Sequence, residues 1–158
     1  MKKIIQFSAL ILIALVTGVF WGTWFTLTRS LHDFSATEFI HIGKTIIANV
    51  AIPMRILMPA SILFIMFSAL QIRKTNRTSF YLYLVSFILI AITLIITVLV
   101  EVPIDNQIRT WSTTNLPENW TSLRDTWNQF HSIRTFASIA SLGFFGWGIS
   151  SQQASAKS

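Results

Sequence analysis

Four apolar stretches, at 4–28, 46–70, 80–100 and 133–149, occupy more than half of this 158-residue chain. Where no water is available, only a helix or a closed barrel satisfies every backbone N–H and C=O, and a spanning helix needs roughly 17–25 mostly apolar residues. Three of the stretches meet that length outright and the last is at its lower limit. Charged residues make up only 11% of the chain, too few to clothe a soluble domain of this size. The expected fold is therefore all-α: a transmembrane four-helix bundle in one domain over residues 1–150. Its helices are expected at about 4–28, 46–70, 80–100 and 118–149, with a long outer loop, an extended amphipathic start to the last helix, and a polar tail at 151–158.

A net charge of +6 would ordinarily raise the question of nucleic acid, but its distribution answers otherwise. Four spans put both termini and the 71–79 loop on one side, with Lys2, Lys3, Arg73, Lys74, Arg77 and Lys157 and no acid. All six acids, Asp33, Glu38, Glu101, Asp105, Glu118 and Asp125, fall on the other. Basic residues beside short loops hold those loops in the cytoplasm. The charge is a topology signal: an integral protein of the plasma (inner) membrane with both termini cytoplasmic, and no nucleic-acid partner. Met-Lys-Lys before an apolar run resembles a secretion signal, but the run is long for one and no Ala-x-Ala follows, so it is expected to stay as the first helix.

The last helix is the most informative. At 100° per residue, Trp120, Arg124, Trp127, His131, Arg134 and Ser138 fall within an arc about 80° wide, and Ile133, Phe136, Ala140 and Trp147 occupy the opposite face. An interfacial belt of Trp and Arg would be scattered around the helix; alignment points to a stripe facing the bundle or its mouth. The third stretch ends in Thr93, Thr97 and Glu101 at four-residue spacing, just before Pro103. Near the hydrocarbon boundary an ionised carboxylate needs a partner, and His131, Arg134 and Arg55 are candidates. Arg55 lies about 10 residues inside the second apolar stretch, where arginine is costly, and is expected to turn inward and pair. Pro53 and Pro59 in the same stretch permit a kink. Trp24 and Trp21 on the first stretch suit packing or a cavity wall.

With no cysteine, thiolate metal sites and a cysteine nucleophile are excluded. There is no Gly-rich phosphate loop, no His-Glu-x-x-His and no basic run alternating with aromatics. His32, His41 and His131 all fall on the outer side, so a histidine-bound metal with Glu38 or Glu101 stays open, although no cofactor is required by the residues.

The segment from Glu101 through Val-Pro-Ile-Asp-Asn106-Gln-Ile, then Trp111, Pro117, Trp120, and Leu123-Arg-Asp-Thr-Trp127-Asn-Gln-Phe-His131-Ser-Ile-Arg134-Thr resembles the signature of the anthrone oxygenase-like family. That pattern runs as Val-Pro-x-Asn-Asn, Pro-x-x-Trp, then Arg-x-x-Trp and His/Asn-x-x-Arg. Asp105 stands where the pattern has its first Asn. The resemblance implies a small four-helix membrane protein with Asn106, Trp127, His131 and Arg134 at its site, and oxidation of anthrones to anthraquinones as its chemistry. A base (His131 or Glu101), a cation for the resulting anion (Arg134 or Arg55) and aromatic walls (Trp127, Trp120, Trp24), with Arg124 and Asn106 beside them, would meet that need. A hydrophobic aromatic ligand drawn from the bilayer is the implied substrate. The same cluster suits a non-catalytic protein that binds a small hydrophobic ligand, or a subunit of a membrane complex or homo-oligomer.

Overall fold

The computed structural model describes residues 2–155; Lys157 and the end of the polar tail lie outside the described residues. Helix α1 spans Lys2–Thr26 and gives way to a 3₁₀ turn, Thr28–Asp33. Helix α2 spans Ala36–Ile72, and α3, Arg77–Ile96, leads through a π turn, Thr97–Glu101, into α4, Val102–Thr110. Helix α5 spans Trp120–Ser155. Successive long helices alternate in direction, and the packed pairs are α1 with α2, α2 with α3, α3 with α5, and α5 with α1, which closes a ring of four.

Lys2–Asp33, Ala36–Ile72 and Arg77–Thr110 are each long and apolar enough to cross a membrane. They leave Ile11, Leu15, Ile52, Ile56, Leu63, Ile88, Ile92, Ile95 and Leu99 exposed, an arrangement that only a lipid surrounding makes favourable. The chain is an integral membrane protein. Helix α5 is less apolar because of what it buries: Arg124, His131, Arg134, Thr135, Ser138 and Ser141 face inward, while Ile133, Phe136 and Trp147 are exposed like the outer faces of its neighbours.

Several boundaries differ from the sequence reading, each for a local reason. Helix α2 begins at Ala36, not near 46, because Ser35 and Glu38 form a capping box: the Ser35 side chain accepts from the Glu38 N–H and Glu38 accepts from the Ser35 N–H. The third span does not stop at Pro103. In the π turn the Val102 N–H reaches back to the Thr97 carbonyl, so the helix takes up the proline in the first turn of α4 and runs on to Thr110. The long outer loop is thereby reduced to 111–119. At the other end α5 continues through Ser155, into the region expected to be a polar tail beyond the helix.

The interior has two apolar clusters. At the end that carries Lys2 and the 71–79 loop, labelled inner with the opposite end as outer, Ile13, Val16, Met58, Ile65, Tyr83, Ile90 and Phe145 pack together, with Tyr83 stacked on Phe145 at 4.5 Å. Ser86 and Ser141 hydrogen-bond across α3 and α5 at 2.9 Å, and Gln152 joins Gln6 to the Tyr83 hydroxyl. At the outer end Leu31, Phe39, Ile40, Ile47, Ile104, Ile108 and Trp111 form a separate cap. Between the two clusters the helices do not fill the space.

Candidate functional site

That space is a cavity of about 370 Å³, within the range of small-molecule sites. All four long helices line it: Phe20 and Thr23 from α1; Val50, Ala51, Met54, Arg55 and Pro59 from α2; Thr97, Val98, Val102, Asp105, Asn106 and Arg109 from the third span; Trp127, His131 and Arg134 from α5. The lining residues of α1 and α5 are buried or half-buried, whereas Arg55, Pro59, Val98, Val102, Asn106 and Arg109 are exposed. The cavity thus opens sideways between α2 and the third span, on the surface that faces lipid.

Arg134 forms the floor of the polar part. Its Nε donates to His131 Nδ1 at 3.3 Å, Nη2 to the same atom at 2.9 Å, and Nη1 to Thr97 Oγ1 at 3.1 Å. Nη2 also lies 3.0 Å from Glu101 Oε2, and the guanidinium carbon sits 4.5 Å from the centre of the Phe20 ring. The Glu101 contact is an ion pair without the alignment of a hydrogen bond, and neither carboxylate oxygen has a hydrogen-bond partner. Glu101 is wholly buried, at 0% exposure, and does not line the cavity. A guanidinium has five N–H donors and no acceptor. Three go to His131 and Thr97, and the other two are left to Glu101 and to whatever occupies the cavity.

These bonds fix the state of His131. Arg134 can only donate, so Nδ1 is an acceptor and carries no proton; Nε2–H then donates to the Phe20 carbonyl at 3.3 Å. The imidazole is neutral and both nitrogens are engaged. Its ring stacks on Trp127, with centroids 4.8 Å apart and planes 5° from parallel, and the Trp127 Nε1–H donates to Asp105 Oδ1 at 3.1 Å. Arg134, His131, Trp127 and Asp105 therefore form one chain of contacts along the cavity wall.

The family model described as anthrone oxygenase matches residues 44–144. The chain belongs to the anthrone oxygenase family. No curated protein matches it, and no solved structure does. The family's matched span holds every polar residue of the cavity on α2 to α5, while Phe20 and Thr23 come from α1, outside the match.

The site residues expected in this member of the family do not all meet. Arg134 contacts both His131 and Glu101, and Asn106, Trp127 and Arg55 line the cavity. Trp24 lies elsewhere: it donates from Nε1 to Ser132 Oγ at 3.1 Å and stacks on Trp21 at 5.1 Å. Trp120 and Arg124 belong to the outer cap, the guanidinium 5.3 Å above the Trp120 ring and bonded to Asp125 at 2.8 Å, with Trp120 against Phe39. Arg55 is not turned inward and paired. It is exposed at the side opening, and among the described residues no ion pair reaches it, because the face of α2 that carries His41, Thr45, Ala48 and Ile52 points out of the ring. The histidines stay apart: His32 lies 3.7 Å from Asp125, His41 is exposed and His131 is buried. No group of three His, Asp or Glu side chains is arranged to hold a metal ion among the described residues. Sequence reasoning passed over Asp105 because it ended the helix at Pro103. Continued one turn, the Thr97–Glu101 spacing reaches Asp105.

Proposed function

We propose that this chain oxygenates a hydrophobic aromatic of the anthrone or hydroquinone class, taken from the bilayer through the side opening of the cavity. The observation that carries this reading is Arg134: a cation held on four sides and presented to a largely apolar cavity of about 370 Å³. Such a group is matched to a ligand that is neutral on arrival and becomes anionic in the reaction. In an anthrone, removal of a proton from the ring CH₂ leaves an anion with its charge on the carbonyl oxygen, and Arg134 stabilises that oxygen. The electron-rich anion reduces O₂ and combines with it at the same carbon; the peroxide takes up a proton and loses water with the second C–H proton. The balance is anthrone plus O₂ to anthraquinone plus water. Trp127, stacked on His131, and Phe20 supply flat apolar walls for the rings. In this reading Glu101 and His131 act on Arg134 as positioning residues. We also place the cavity toward the outer leaflet of the plasma (inner) membrane, with both termini cytoplasmic, on the strength of the charge distribution.

The test is oxygen uptake and anthraquinone formation by purified protein in detergent, given a panel of anthrones and hydroquinones. Arg134→Lys keeps a charge beside Glu101 but loses the fork, and Ala51→Phe fills the cavity; each is expected to lower the rate at least tenfold with melting retained. Equal rates in wild type and both variants would indicate autoxidation in solution and remove the reading. Ligand bound without turnover in wild type would favour a non-catalytic binding protein. Orientation is tested by cysteines placed in this cysteine-free chain. One at Thr113 should react with an impermeant thiol reagent in intact cells and one at Thr75 should not.

A further inference from the structure

Oxygenation of this kind needs a proton acceptor that touches the ligand, and the groups around the cavity differ in whether they can serve. His131 has its one free lone pair occupied by Arg134. Glu101 is sealed behind Arg134 and lines no part of the cavity. Asp33, Glu38, Glu118 and Asp125 are exposed away from it. Asp105 alone among the described acids lines the cavity, and it does so from an unusual position. It also lines a second, smaller apolar pocket of about 30 Å³ with Leu31, Phe39 and Ile108, so Asp105, like Trp127, stands in the partition between the two. Trp127 Nε1–H holds Oδ1 at 3.1 Å, and Oδ2 has no hydrogen-bond partner among the described residues.

We propose that Asp105, which stands where the family's pattern has Asn, is the catalytic base of the cavity in this chain, an assignment that rests on the oxygenation reading above. Oδ2 takes the ring C–H proton of a bound anthrone, and the bonding pair passes into the ring system as the anion that Arg134 stabilises. The proton returns from Oδ2 to the peroxide anion formed with O₂, so the carboxylate is regenerated within the cycle. Through all of this Oδ1 keeps its bond to Trp127, whose ring also backs His131. The base, the aromatic wall and the cation are thereby fixed relative to one another. A half-buried carboxylate beside apolar surface is the residue type general-base catalysis on carbon calls for, since water competes less for the lone pair.

Proton removal can be read without oxygen. Under anaerobic conditions in D₂O, wild-type protein should speed deuterium exchange into the CH₂ group of anthrone above the protein-free rate. Asp105→Asn preserves shape and the acceptor for Trp127; it should lose that acceleration on the order of 100-fold while anthraquinone still binds, followed by quenching of tryptophan fluorescence. Asp105→Ser, which also lacks the acid, should behave alike and stands in if the first variant does not fold. Exchange undiminished in either folded variant overturns the assignment, as does exchange in wild type no faster than background. Oxygen uptake separates the two levels: uptake intact in Asp105→Asn leaves oxygenation standing and removes Asp105 from it. Uptake absent in wild type removes oxygenation itself.

Discussion

At the level of Tyr83 the helices meet so closely that a Cβ added to Gly148 would lie 2.5 Å from the tyrosine ring. About 21 Å further along the third span, at Thr97, the same helices enclose a cavity of about 370 Å³. The inner region largely satisfies itself: apart from the buried Ser79 hydroxyl, its buried serines bond their own helix or, as Ser86 and Ser141 do, a partner across the interface. The outer region carries the buried charges, leaves both oxygens of Glu101 without a hydrogen bond, and opens to its surroundings. What distinguishes them is how much polar capacity has been left unspent. A close-packed apolar region gains stability from contact, whereas a site gives up contact to keep donors and acceptors available to a ligand.

Five substitutions and one double variant probe that contrast, taken from the largest expected effect to the smallest. Arg134→Met leaves Glu101 as an uncompensated buried charge and should cost about 3–5 kcal/mol by reversible unfolding in detergent. The double variant Glu101→Gln, Arg134→Met should recover most of the loss; a single variant as stable as wild type would mean the pair is not desolvated.

Gly148→Ala drives a methyl group into Tyr83, which is fully buried and stacked on Phe145, and should cost about 1–3 kcal/mol. Gly143→Ala on the same helix has no atom within 4 Å of the added carbon, and should be neutral or stabilising by up to about 1 kcal/mol. Equal effects at the two glycines would break the claim that the inner region is close-packed.

Ala51→Phe adds far more bulk than a methyl group, but into the cavity. It should change stability by less than about 1 kcal/mol while weakening anthraquinone binding at least tenfold. A loss comparable to that at Gly148 would mean the outer region is not hollow. Arg55→Gln should fall within about 0.5 kcal/mol of wild type, since the side chain is exposed and no ion pair reaches it among the described residues. A larger cost would reveal a partner for Arg55 in the membrane.

Much of this organisation is legible in the residues because it is local. Hydrocarbon forces each spanning segment to satisfy its own backbone, so apolar length alone gives the helices. The 3.6-residue period puts Arg124, His131, Arg134 and Ser138 on one face of α5, and all four are buried. The Ser35–Glu38 capping box was equally available as an early start for α2 and went unread. Pro103 misled for a physical reason: a proline ends a helix only if the turn before it cannot absorb the missing N–H, and a π turn absorbs it.

The tertiary structure alone decided which of these groups are free to act. From spacing, Glu101, Asp105 and His131 are comparable acids or bases near one end of the bundle. His131 Nδ1 is taken by Arg134 one turn along its own helix, but only the rotation of α5 against α1 and the third span commits Nε2 to Phe20, hides Glu101 behind Arg134, and leaves Asp105 in the cavity wall with one oxygen unpartnered. Likewise the phase of α2, set by packing against α1 and α3, leaves Arg55 exposed at the mouth of the cavity with no ion pair among the described residues. Helix formation is decided within a few residues of chain. Availability of a lone pair or a charge is decided by groups that the fold brings together from opposite ends of the sequence.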